Sequence, residues 1–65
     1  MGIGRRIKEL RKRAGMTQTQ LAAATGVNPS MIAQIERETK TVSLQLGKAI
    51  AKVLGVDIME IIGRD

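Results

Sequence analysis

The stretch from Gly15 to Arg37, GMTQTQLAAATGVNPSMIAQIER, holds two helix starts separated by a glycine stop. Thr17 stands three residues before Gln20, the capping-box spacing in which a hydroxyl and an amide satisfy backbone N–H groups that a helix start leaves unpaired. One helix is therefore expected from there to Gly26. Asn28 then offers a capping amide, and Pro29 a fixed φ suited to the first helical position, so a second helix should run to about Arg37. Ala22, Ala23 and Gly26 are small enough to let the two helices approach closely at a steep angle.

Working outward, Ile3, Ile7, Leu10 and Ala14 recur at spacings of four, three and four, one face of a preceding helix that ends at Gly15. On the C-terminal side, Glu38 to Val42 has no apolar period and reads as a loop. Ser43 caps a further helix to Leu54, closed by Gly55, and Asp57 with Glu60 opens a short last helix through Ile62. Gly63 to Asp65 reads as a frayed end. No segment alternates with period two. The expected fold is all-α, a compact five-helix bundle with short connections, forming one domain over residues 1–65 with its central pair at 17–37. Its core is expected from Ile7, Leu10, Met16, Leu21, Ala22, Val27, Ile32, Ile35, Leu44, Ile50, Leu54, Val56 and Ile58.

Composition narrows the chemistry. The chain has 65 residues, no cysteine and no histidine, so thiolate and imidazole metal sites and the commonest general base are missing. No cofactor is expected. A domain this small buries only roughly 60% of its unfolded surface, so its core must be economical. Apolar runs are far shorter than a membrane span, and no signal-like segment follows the N-terminus, so a cytoplasmic location is the expectation. The formal charge is +5. Arg5, Arg6, Lys8, Arg11, Lys12 and Arg13 against Glu9 place an equal surplus in the first thirteen residues. Such a run is either a solvated helix face or a surface for a polyanion. With no aromatic residue to stack on unpaired bases, duplex DNA is the better polyanion.

The residues Arg11, Gly15, Thr17, Gln18, Leu21, Ala22, Gly26, Val27, Ile32, Ile35 and Glu36, continuing through Ser43, Leu44, Ile50, Ala51, Leu54, Gly55 and Val56, resemble the helix-turn-helix family of phage repressors and Cro proteins, the XRE class. The resemblance covers about Ile3 to Ile62. It implies a lambda-repressor-like domain that reads duplex DNA with the helix from Asn28 to Arg37. It also implies a phosphate contact at Gln18, a role suited to a helix N-terminus, although an ordinary exposed first-turn residue would look the same. With Ile32 and Ile35 facing inward, Pro29, Ser30, Ala33, Gln34 and Arg37 face out. Gln34 can address adenine bidentately, Ser30 several bases, and Pro29 and Ala33 a thymine methyl, with helix initiation a sufficient account of Pro29. Thr17, Gln18, Asn28, Arg37, Thr39, Lys40, Arg5 and Arg6 are candidates for the sugar-phosphate backbone. Capping alone also explains Asn28, and solvated charge explains Arg5 and Arg6 equally well. The resemblance further implies that Arg11 and Glu36 form a structural ion pair between the first and third helices.

Departures from the family are informative. Many relatives carry glycine where Glu38 stands and proline where Val42 stands, and Gly47 replaces a large apolar residue. Glu38 places a negative charge near the expected phosphates. Leu46, Ala49, Val53, Met59 and Ile62 supply more apolar surface than one small bundle needs. They either complete a core thinned by Gly47 or form the interface of a twofold dimer on a pseudo-palindromic site. The function expected is sequence-specific DNA binding by a transcriptional regulator, most simply a repressor. The alternative is an antitoxin or protein-interaction module on the same fold. No nucleophile with its base, metal cluster or phosphate-cradling loop marks an enzyme, and no small-molecule site is evident. A membrane-surface helix would need large exposed apolar residues that the first helix reserves for burial.

Overall fold

A computed structural model describes residues 2–63. The expected frayed end at Arg64 and Asp65 lies outside them. Five helices follow one another: α1 (Ile3–Arg13), α2 (Gln18–Thr25), α3 (Pro29–Glu36), α4 (Leu44–Leu54) and α5 (Ile58–Ile62). The helix starts expected at Thr17, Asn28, Ser43 and Asp57 are all present. Thr17 Oγ1 accepts from the Gln20 N–H at 3.0 Å while Gln20 Oε1 accepts from the Thr17 N–H at 2.9 Å, a complete capping box. Asn28, Ser43 and Asp57 each accept a backbone N–H of the first turn that follows. The box expected at Asp57 does not form: Asp57 caps the Met59 N–H, and the Glu60 carboxylate faces Arg6 at 3.9 Å instead of turning back.

The core joins all five helices through Ile7, Leu10, Leu21, Ala22, Ile32, Ile35, Ile50, Ala51 and Ile61. Met16, Val27, Leu54, Val56 and Ile58 are only partly buried around it. One expectation fails: Leu44 is 64% exposed. It is the first residue of α4 and lies on the flank of that helix, while the buried face is carried by Gly47, Ile50 and Ala51. The room above Gly47 is taken by Ile58, whose Cδ1 lies 3.5 Å from where a Cβ would stand.

Ala22 is fully buried, but Ala23 and Gly26 are exposed, and no atom lies within 4 Å of a Cβ added at Gly26. Gly26 is therefore not a site of close approach. It serves the turn, taking φ 75° as the C-cap of α2, a conformation that Cβ-bearing residues rarely adopt. The close approach occurs at Gly4, where an added Cβ would overlap the Ile35 carbonyl oxygen. Glu38 takes the left-handed backbone itself, at φ 64°, which accounts for glycine in the relatives. Its carboxylate reaches back to accept the Arg5 N–H at 3.2 Å, so the α3–α4 loop caps α1.

Candidate nucleic-acid interface

Burial of Ile32 and Ile35 fixes the rotation of α3. With a turn every 3.6 residues, that rotation directs Ser30 and Arg37 straight outward, with Ala33 and Gln34 beside them. Pro29, Ser30 and Arg37 are exposed, and Ala33 and Gln34 are half-buried. These five groove-facing candidates therefore share one continuous face. Met31 flanks it and packs partly on the core, a contact that the sequence left unassigned. Asn28 uses its side-chain oxygen on the Ser30 N–H at 2.8 Å, so its capping role is realised.

Behind that face lies a buried polar junction. The Arg11 guanidinium donates from Nε to Glu36 at 2.6 Å, from a terminal nitrogen to Glu36 at 3.0 Å, and from the other to the Met16 carbonyl at 2.8 Å. The Gln18 amide donates to the same Glu36 carboxylate at 3.0 Å. Three helices thus meet on one carboxylate. Burial alone would push the Glu36 carboxyl up. Hydrogen bonds from Arg11 and Gln18, with the charges of Arg11 and Lys8, outweigh it and hold the carboxyl below its ordinary value. Arg11 is raised in turn by its hydrogen bond to Glu36, against the cost of desolvation. The Gln18 contact spans eighteen residues, and no local pattern announces it. Only the joint assignment of Gln18 and Glu36 near the two helix ends hints at it.

The remaining candidates come from three other parts of the fold. Thr17 and Gln18 stand at the N-terminus of α2. Arg37, Thr39 and Lys40 are exposed where α3 passes into its loop, with the Thr39 hydroxyl donating to the Gln34 carbonyl at 3.2 Å. Arg5 and Arg6 lie on α1. Arg5 pairs with Glu9 at 3.6 Å, and Arg6 Nε donates to the Glu60 carbonyl at 2.7 Å, tying α1 to α5. Among the described residues, no three His, Cys, Asp or Glu side chains gather as a metal site. Among these same described residues, no helix is long and apolar enough to cross a membrane.

A capped helix with a polar outer face, held across a glycine turn by the helix before it, defines a helix-turn-helix protein. The family profile described as helix-turn-helix matches residues 7–61, and the chain belongs to that family, in the phage-repressor class its residues resemble. Among its relatives, the immunity repressor protein of Bacillus phage phi105 is 38% identical over 65 residues, which is all of this chain and 45% of that repressor. The restriction-modification controller protein C.AhdI from Aeromonas hydrophila superposes with a TM-score of 0.88 at 32% identity, covering 92% of this chain and 91% of C.AhdI. The biofilm master regulator SinR, in a structure with DNA, gives 0.81 at 38% identity, covering 86% of this chain and 90% of that one. The chain spans less than half the length of the curated relatives it matches first.

Proposed function

We propose that this chain binds double-stranded DNA sequence-specifically by seating α3 in the major groove. Its action is binding and not catalysis, and it serves as a transcriptional regulator in the cytoplasm, most simply as a repressor. The observation that carries this reading is the division of labour on α3. Ile32, Ile35 and Glu36 are buried and hold the helix, while Ser30 and Arg37 are exposed on its outer side and Gln34, half-buried, lies beside them. SinR, similar over most of this chain, has been solved with DNA, and the phi105 relative is a repressor. Gln34 with Ser30, aided by the apolar surfaces of Pro29 and Ala33, reads bases. Thr17, Gln18, Arg37, Thr39 and Lys40 set the register on phosphates.

The test is selection of bound sequences from a random duplex pool, repeated with two variants. The wild-type protein should enrich a pseudo-palindromic sequence. Gln34→Ala should relax preference at one base position in each half-site by about 1–3 kcal/mol of discrimination. Arg37→Ala should weaken all duplexes alike and lower the salt slope by about one phosphate. No enrichment by the wild-type protein would count against the proposal, and uniform loss across bases for Gln34→Ala would remove Gln34 as a reader.

A further inference from the structure

Lys8 and Lys12 on α1 take part in no hydrogen bond or ion pair described so far, although the charge of Lys8 is felt at Glu36. With Arg5 they are spaced three and four apart, which makes one stripe of the helix. The stripe, together with Glu9, forms one wall of an open groove of about 460 Å³. Glu36, Arg37 and Glu38, where α3 ends, form the other wall.

Charge is distributed unevenly along this groove. At one end Arg5 is paired with Glu9, and Glu38 caps the α1 backbone at the Arg5 N–H. Cation and carboxylates offset one another there. Lys8, Lys12 and Arg37, which also line the groove, are exposed and, among the described residues, take part in no ion pair. The only other carboxylate on that wall, Glu36, is already engaged by Arg11 and Gln18. Three cations thus border a groove with no free carboxylate beside them. Gln18 hydrogen-bonds the Glu36 carboxylate that lines this groove, so the N-terminus of α2 lies beside it.

We infer that Lys8, Lys12 and Arg37 hold the phosphates of the DNA strand that passes the N-terminus of α2, so that α1 lengthens the duplex contact beyond the helix-turn-helix itself. The inference rests on the DNA-binding reading given above. Lys8 and Lys12 are one helical turn apart, about 6 Å along the axis, so their two ammonium groups stand on one side of α1. Each can reach a separate phosphate of one strand. Lysine, a compact charge on a flexible stem, suits backbone contacts that carry no base preference.

The experiment measures affinity against salt for the selected duplex, using the wild-type protein, Lys8→Gln/Lys12→Gln and Lys8→Arg/Lys12→Arg. Glutamine and lysine have similar helix propensity, and a thermal melt checks that the fold is kept. Loss of two phosphate contacts lowers the slope of log K on log salt by about 1.8. From about 50 to 200 mM salt, wild-type affinity should then fall about tenfold more than that of the glutamine variant. Base preference should be unchanged, and the arginine variant should keep the wild-type slope. An unchanged slope in the glutamine variant, with the wild-type protein binding normally, overturns the inference and leaves the DNA-binding reading standing. A wild-type protein that binds no duplex overturns both. A wild-type preference for polyglutamate over duplex, lost in the glutamine variant, would assign the groove to an acidic polypeptide and also overturn it.

Discussion

Glu36 receives hydrogen bonds from both Arg11 and Gln18, and its side chain is 2% exposed. A carboxylate so placed supports the recognition helix from behind while contributing nothing to its outer face. Glu36→Ala would leave the Arg11 charge buried without its partner, at a cost of about 3–5 kcal/mol. That is a large share of the ~5–15 kcal/mol that a domain has. Urea unfolding should show a loss of that size. Arg11→Met/Glu36→Leu, which removes both charges and refills the space, should be markedly more stable than Glu36→Ala. A double variant no better than the single would show that the charges themselves are needed. The same carboxylate sets an acid limit. Its folded-state pKa is depressed, so its stabilisation is complete above the unfolded-chain value, about 4.3. It drains away as pH falls from there through the lower folded value. Melting temperature should drop with acidification in that window, and more gently in Arg11→Met/Glu36→Leu. The Arg11–Glu36 pair was legible through family resemblance. The Gln18 bond was not, because no periodicity links residues eighteen apart.

At the level of elements, caps and turns were legible because each depends on residues within three positions of one another, as with Thr17 and Gln20 or Asn28 and Pro29. What escaped the sequence was which small residues face a neighbour. Ala51 and Ile61 belong to the core and Leu44 does not, since hydrophobicity alone does not fix the phase of a short helix at its first turn. Likewise Gly4 and Gly47 look alike in sequence, each a glycine inside a helix, yet they should answer oppositely to alanine. At Gly4 the new methyl would overlap the Ile35 backbone, forcing α1 away from α3 and disturbing the Arg5 cap from Glu38. Gly4→Ala should therefore lose about 1–3 kcal/mol despite its better helix propensity. At Gly47 the methyl would meet only Ile58 Cδ1 at ordinary contact distance, so Gly47→Ala should gain up to about 1 kcal/mol. Paired denaturation curves check both signs, and a stabilised Gly4→Ala would show that α1 can shift without loss.

For the molecule as a whole, the open question of association turns on where apolar surface remains. Of the residues considered for a dimer, Leu46 and Val53 pack partly on their own core and Ala49 is half-buried, whereas Met59 and Ile62 are 47% and 46% exposed. They flank the fully buried Ile61 on α5, so they can be changed without opening the core. Position also favours α5. It packs on α1 and α4, whereas α3 packs on α1 and α2, so an interface at α5 does not use the helices that hold α3 except α1. The longest dimension is 29 Å, while recognition helices reading successive turns of one DNA face stand about 34 Å apart. Two copies meeting side by side have centres closer together than that spacing, so their α3 helices must lie outward from the dyad, and an interface at α5 leaves both free to do so. We therefore predict that the wild-type chain sediments as a dimer on a pseudo-palindromic duplex. Met59→Lys/Ile62→Lys should keep its melting temperature but bind as a monomer, with a full site held no more tightly than a half-site. Wild-type protein that remains monomeric at micromolar concentration, alone and on the full site, would sink the dimer. Equal weakening of half-site binding by the lysine pair would place these residues at the DNA and not between copies.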